Sequence, residues 1–302
     1  MRRQLIFISI IIFITFLDFS LFCQEHNRVE RMQDSLLVLT KKIKTAGNDS
    51  ARFHYNALFK QTLRQALSVP ASFDFPFDSL KTLSRLTAGD KKFRIYTWNI
   101  PKGDGTFKYF GVIQLNPREN RNAQLFDLSD HSDSITDAEF KRLDPDHWYG
   151  SLYYRIILTK FHDQTFYTLL GWHGSNSLLT QKVIEVLIFD YLHHPRFGAM
   201  IFRNYGNDKI CRIIFKYSST AAMYLDYDEQ FLPEKKKWNP SKKQFETEKI
   251  KKHMIVCDEL IPREPILEGQ FEYYIPSSEM FDGFVFMDGF WNFFSNIDAR
   301  NK

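Results

Sequence analysis

Between Val29 and Ile43 the apolar residues stand at Val29, Met32, Leu36, Leu39 and Ile43, a 3-4-3-4 spacing that gathers them on one helical face. After the Ala46-Gly47-Asn48-Asp49 break a second stripe begins, with Tyr55, Leu58, Phe59, Thr62, Leu63, Ala66 and Leu67 on one side. It must end near Ser68, because Pro70 follows and disfavours helical backbone before it. The two stripes predict a helical hairpin. Asp78 is placed to N-cap a third short helix through Leu86, which Ala88-Gly89-Asp90 would end.

From Phe93 the pattern changes to short runs rich in Ile, Val, Tyr, Phe and Thr, bounded by Gly, Asp, Asn or Pro, which is the pattern of strands. The runs are Phe93–Asn99, Phe107–Leu115, Ser151–Lys160, Thr165–Trp172, Ile210–Tyr217, Ala222–Tyr227, His253–Asp258, Phe271–Ile275 and Phe284–Met287. Gln181–Phe189 mixes helical spacing with β-branched content and is read as a strand because it continues a series of strands. Short connections at Lys102-Gly103-Asp104-Gly105 and His162-Asp163-Gln164 make neighbouring strands antiparallel hairpins. The predicted fold is mainly β with an N-terminal helical hairpin packed on a large antiparallel meander, either a β-sandwich or a propeller-like sheet.

Ahead of these elements, Arg2 and Arg3 precede an apolar run from Leu5 to Leu17 that only Ser9 and Thr15 interrupt. At 1.5 Å per residue this run is too short for a bilayer core of about 30 Å, and Asp18 stops it, so it reads as an export signal cleaved between Cys23 and Gln24. Lipid anchoring through Cys23 is the competing reading. Ser20-Leu21-Phe22 fits that cleavage site poorly, which favours a soluble, periplasmic or secreted mature protein that is not transmembrane. The expected division is a signal peptide over 1–23, a helical segment over 24–90 and an antiparallel β domain over 91–302.

The mature chain would carry a formal charge of +3, but Glu234 to Lys252 alone holds eight Lys and three Glu. The basic balance belongs to one segment, so a nucleic-acid-binding surface over the whole fold is disfavoured. That segment reads as a hydrophilic excursion between two strands, with acidic glycans or lipid phosphates as its functional alternative. Cys211 and Cys257 lie in apolar, strand-like contexts and read as buried thiols rather than a disulfide, which a chain of this length does not need.

No cofactor motif and no Cys/His metal spacing is present. An acidic excursion from Asn116 to His147 contains Asp127, Asp130, Asp133, Asp137, Asp144 and Asp146, yet it lacks the spacing and the glycine of a calcium loop, and it reads as a solvated loop. Within it, Thr136 and Glu139 have the spacing of a capping box. Gly171-Trp172-His173-Gly174-Ser175-Asn176-Ser177 collects a histidine and two serines at a strand end without forming a nucleophile elbow, and His193-His194-Pro195 reads as a turn. Asp282-Gly283 and Asp288-Gly289 bracket one apolar run as two tight turns. The catalytic candidates are therefore His173 and the carboxylates Asp226, Asp258 and Asp282, which would have to converge across a cleft to act as acid and base. Trp148, Tyr149 and Trp172, each beside a glycine at a strand end, are the candidates for stacking on a ligand.

The strings IYTWNIPKGDGTFKYFGVIQ (Ile95–Gln114), WYGSLYYRIIL (Trp148–Leu158), FYTLLGWHG (Phe166–Gly174), RIIFKYSSTAAMYLDYD (Arg212–Asp228) and IVCDELIP (Ile255–Pro262) resemble a family of exported Bacteroidetes proteins of unknown function. The resemblance spans roughly Leu80 to Trp291 and implies export and a β-rich body, with no activity to carry over. These readings lead to an exported, non-catalytic binding or structural module of the envelope, whose partner is a glycan, peptide or protein. An envelope hydrolase using the carboxylates or His173 is the alternative.

Overall fold

The computed structural model of the chain describes residues 2–118, 124–232, 235–239, 244–248 and 250–297. It is mainly β, with two N-terminal helices and large antiparallel sheets. Helix α1 runs over Arg2–Thr45 and contains the whole predicted stripe. Helix α2 (Asp49–Leu67) starts where Asn48 accepts a hydrogen bond from the Ala51 N–H at 2.9 Å, so the side chain caps the helix as its place after Gly47 allows.

Three large, mainly antiparallel sheets and a two-stranded ribbon follow the helices. The first has the order β1-β2-β3-β4, with β1 (Ser84–Thr87), β2 (Phe93–Pro101), β3 (Phe107–Leu115) and β4 (Leu125–Ser129). The middle sheet is formed by β5 (Leu152–Phe161), β6 (Gln164–Gly174) and β7 (Leu179–Phe189), with the short β8 (Pro195–Phe197) on β7. After β9 (Phe202–Arg203) leaves for the third sheet, β10 (Ile213–Ser218) returns to pair with β7. In the third sheet β11 (Leu225–Phe231), β14 (Lys251–Pro262), β15 (Tyr274–Met287) and β16 (Phe290–Ile297) lie in that order, and β9 adds to β16 in parallel. The Lys-rich excursion forms its own two-stranded ribbon, β12 (Lys235–Asn239) with β13 (Gln244–Glu248).

Period-two alternation assigns each strand face to a different core. On β2, Tyr96 and Trp98 face the helices with Phe59, Leu63 and Leu67, whereas Ile95 packs with Leu169 and Val183 of the middle sheet. On β6, Leu169 joins that second core, while Leu170 turns to a third with Ile184, Leu225, Ile255 and Trp291. Strands covered on both faces show little polar alternation, which is why Leu169-Leu170-Gly171-Trp172 reads as an apolar run. Polar side chains cross these layers: Trp98 Nε1 donates to Asn56 Oδ1 at 2.7 Å, and Trp291 Nε1 donates to Thr168 Oγ1 at 2.9 Å.

Several local expectations are corrected. No helix forms after Asp78; the chain turns and enters β1, so the first sheet starts before position 90. The cause is pairing with β2, which supplies ladder bonds to a segment with little helical periodicity. Phe271–Tyr273 is a short 3-10 turn, and the strand begins at Tyr274. Asp282-Gly283 is not a turn but lies inside β15, where the register shifts, whereas Asp288-Gly289 is the expected two-residue turn, with φ of 52° and 84°. Thr136 does not cap; a left-handed Asp137 precedes the 3-10 turn Ala138–Phe140, which has no side-chain cap. Cys211 and Cys257 are both free and buried, as expected.

Candidate functional site

A cavity of about 780 Å³ opens where three turns meet: the β5–β6 turn, the segment following β7 and the β15–β16 turn. Each turn has a local cause. His162 takes φ of 50° in the two-residue link between the paired Phe161 and Gln164. Asp190 accepts the backbone N–H groups of Leu192 and His194, each at 2.9 Å, and Arg196 lies 3.3 Å from its other oxygen. These donors, led by the His194 N–H, hold the Asp190 carboxyl below its ordinary pKa. Gly289 is required in its turn by φ of 84°, and a Cβ there would lie 2.6 Å from the Phe161 ring.

The lining combines rings with charge. Phe161, Phe166, Tyr167, Phe189 and Phe290 contribute aromatic surface, and Phe161 remains more than a third exposed. The Tyr167 hydroxyl donates to Asp90 at 2.8 Å, and the Arg203 guanidinium lies 3.3 Å above the Phe290 ring, which fixes both rings in place. Lys92 and Arg142 also line the cavity; both are exposed, and neither forms an ion pair among the described residues. Asp163 is likewise exposed, with no hydrogen bond to its carboxylate among the described residues, and His193 stands on the adjacent turn.

The residues singled out from sequence lie elsewhere. His173 is buried between the rings of Tyr109 and Tyr149, at centroid distances of 4.7 and 5.1 Å, and its Nδ1–H donates to the Gly150 carbonyl. Burial lowers its pKa, so the imidazole is neutral. Trp148 and Tyr149 are core residues: Trp148 Nε1 donates to the Tyr153 hydroxyl at 2.9 Å, and the Tyr149 hydroxyl meets Gln181. Trp172 is half-buried against the edge of Phe107. Asp282 sits at the β15 bulge, where burial raises its carboxyl pKa and the Asn296 N–H partly opposes that rise.

Asp226 and Asp258 do approach a common group, the Lys182 amine, which lies 5.2 Å over the ring of Tyr154. Burial lowers the pKa of Lys182 although both carboxylates oppose it. Burial pushes the Asp226 carboxyl upward, but the Arg155 Nε–H at 2.8 Å and the Tyr227 N–H outweigh it and hold the pKa low. Asp258 accepts the Tyr224 N–H at 2.6 Å, and the Tyr154 hydroxyl donates to the Leu225 carbonyl at 2.8 Å. These bonds tie the edge of the middle sheet to the edge of the third. The set is a seam whose donors and acceptors serve one another; Tyr154, Arg155 and Lys182 gave no sequence signal because only sheet packing brings them there.

The acidic excursion is also structural. Asp130 is buried and accepts from the backbone of Tyr109 at 3.0 Å and from Ser132, Asp144 caps the turn at His147, and Asp127 bridges to Arg64 and Lys60 of α2. Among the described residues, no group of three or more His, Cys, Asp or Glu side chains is disposed to hold a metal ion. No described helix is long and apolar enough to cross a membrane. Comparison with protein-family models, curated proteins and solved structures gave no match.

Proposed function

We propose that the chain is an exported, non-catalytic binding module of the cell envelope, and that the cavity between the three turns holds a segment of glycan or peptide. One observation carries this reading. The cavity is open, of ligand size, and lined by fixed aromatic rings beside Lys92 and Arg142, which have no ion-pair partner among the described residues, and beside an exposed Asp163. Turns held by a rigid sheet stack are where binding groups are most easily placed without disturbing a core.

The carboxylates suit binding better than hydrolysis. A general acid needs a raised pKa, whereas Asp190 is held low by three donors. His173 is enclosed and neutral, away from this cavity. A glycan and peptide binding screen run beside a hydrolysis screen, both on the chain from Gln24, tests the proposal. Saturable binding lost in Phe161→Ala supports it. Turnover that disappears in Asp163→Asn would replace it with the envelope hydrolase.

A further inference from the structure

We propose that the ligand of this cavity is an acidic glycan, a short oligosaccharide whose sugar rings bear carboxylates. This rests on the binding-module reading and names its ligand class.

The charge of the lining points to an anion. Of its two aspartates, Asp190 is already satisfied by Arg196 and two backbone N–H groups, which leaves Asp163 against Lys92 and Arg142. Arg142 hydrogen-bonds the Cys211 sulfur, but neither it nor Lys92 has a carboxylate partner among the described residues, so both cations are available to a ligand carboxylate, which arginine binds through two parallel N–H donors.

The remaining groups suit a sugar ring. Phe161, more than a third exposed and packed against Gly289 and the His162 ring, offers aromatic surface to the C–H side of a pyranose. Asp163 and Gln164 offer exposed planar groups that accept and donate to neighbouring hydroxyls. The volume lies within the roughly 300–1,000 Å³ of pockets that enclose a small ligand, and is suited to an oligomer of a few rings.

A peptide strand is a poorer fit, because it needs free backbone groups in a row. Here Ile188 and Phe189 are paired with Arg196 and Pro195, Phe161 is paired with Gln164, and the Ile201 carbonyl accepts the Trp291 N–H at 2.7 Å.

The test is calorimetric titration of the chain from Gln24 with trimers of galacturonate, glucuronate and mannuronate, with their carboxyl-reduced counterparts, and with an acidic hexapeptide. At least one uronate trimer should bind tenfold or more tightly than its neutral counterpart, and more weakly as salt is raised. Lys92→Gln with Arg142→Gln should lose tenfold or more of that affinity at an unchanged melting temperature, since both side chains are exposed. Phe161→Ala should weaken charged and neutral trimers alike. Equal affinity for charged and reduced trimers, preference for the peptide, unaltered uronate affinity in the Lys92/Arg142 variant, or no binding of any trimer would each overturn the inference. Peptide or neutral-sugar binding lost in Phe161→Ala would do so while leaving the binding module intact.

Discussion

Arg212→Leu isolates the contribution of an ion pair that, alone among those of the described residues, is fully enclosed between the first and middle sheets. Arg212 Nε lies 2.6 Å from Glu185 Oε2, and both side chains are fully buried. The guanidinium also donates to the carbonyls of Ala138 and Lys141, so it pins the acidic excursion to the middle sheet. Without it, Glu185 keeps only the Val186 N–H at 3.0 Å, the Lys141 carbonyl loses its donor, and the Ala138 carbonyl is left with the Lys141 N–H at 3.3 Å. Breaking such a pair costs about 3–5 kcal/mol, because a charge stays buried without its partner.

The pH dependence identifies the cause. Burial already raises the Glu185 carboxyl above its ordinary value, with Arg212 opposing the rise, so removing Arg212 raises it further. A folded pKa above the unfolded one leaves stability intact below the unfolded value, near 4.5, and erodes it as pH rises through the folded value. The limiting slope is about 1.4 kcal/mol per pH unit. Urea unfolding followed by tryptophan fluorescence should therefore show a small deficit at pH 4.5 and the full loss at pH 8. The double variant Arg212→Leu/Glu185→Leu should regain most of the stability and lose the pH dependence. A single variant within about 1 kcal/mol of the parent at pH 8, or an equal loss at both pH values, would refute the reasoning.

Three further outcomes are expected. Gly289→Ala places a non-glycine residue at φ of 84° and a Cβ against Phe161, so it should cost about 1–2 kcal/mol in urea unfolding and weaken binding at the cavity by displacing the ring. The folded pKa of His173 is depressed by burial, so as pH falls below about 6.5 the unfolded chain takes the proton first and stability declines; in His173→Gln that part of the decline, measured between pH 7 and 5, should vanish. Asn56→Ala leaves the buried Trp98 indole N–H without its acceptor and should cost about 1–3 kcal/mol, read by thermal or urea unfolding; an unchanged midpoint would contradict the docking of α2 on the first sheet.

Periodicity made most of the fold legible, because burial on one or two faces writes itself directly into apolar spacing. Phe59, Leu63, Ala66 and Leu67 of the predicted stripe are buried on α2, whereas Leu58 of the same stripe is exposed and Asn56 takes a buried place to meet Trp98; Phe107–Leu115 is β3 to the residue. What failed were segments whose state is set by a partner. Ser84–Thr87 has one large apolar residue and becomes β1 only by pairing with β2; Leu125–Ser129 is hidden in a polar excursion and becomes β4 by pairing with β3. Phe290–Ile297 lacks alternation because both of its faces are packed, so β16 was missed.

The site divides in the same way. His162-Asp163, His193-His194 and Asp288-Gly289 were each readable as turns from their residues. Their convergence was not, since it depends on how the middle and third sheets meet. His173, Asp226, Asp258 and Asp282 attracted notice by chemical type, yet the structure uses their polar atoms within the core, the seam and a bulge. Trp148 and Tyr149 were selected for neighbouring a glycine; Gly150 is there because a Cβ would lie 2.6 Å from the Asp130 carboxylate, and both neighbouring rings are buried in the core.

Hydrogen exchange of the chain from Gln24, with and without the uronate trimers, locates the binding surface most directly. Slowed exchange concentrated at residues 161–167 and 188–193 is the predicted result. Protection confined to the Lys-rich segment between β11 and β14, with these turns unchanged, would contradict it.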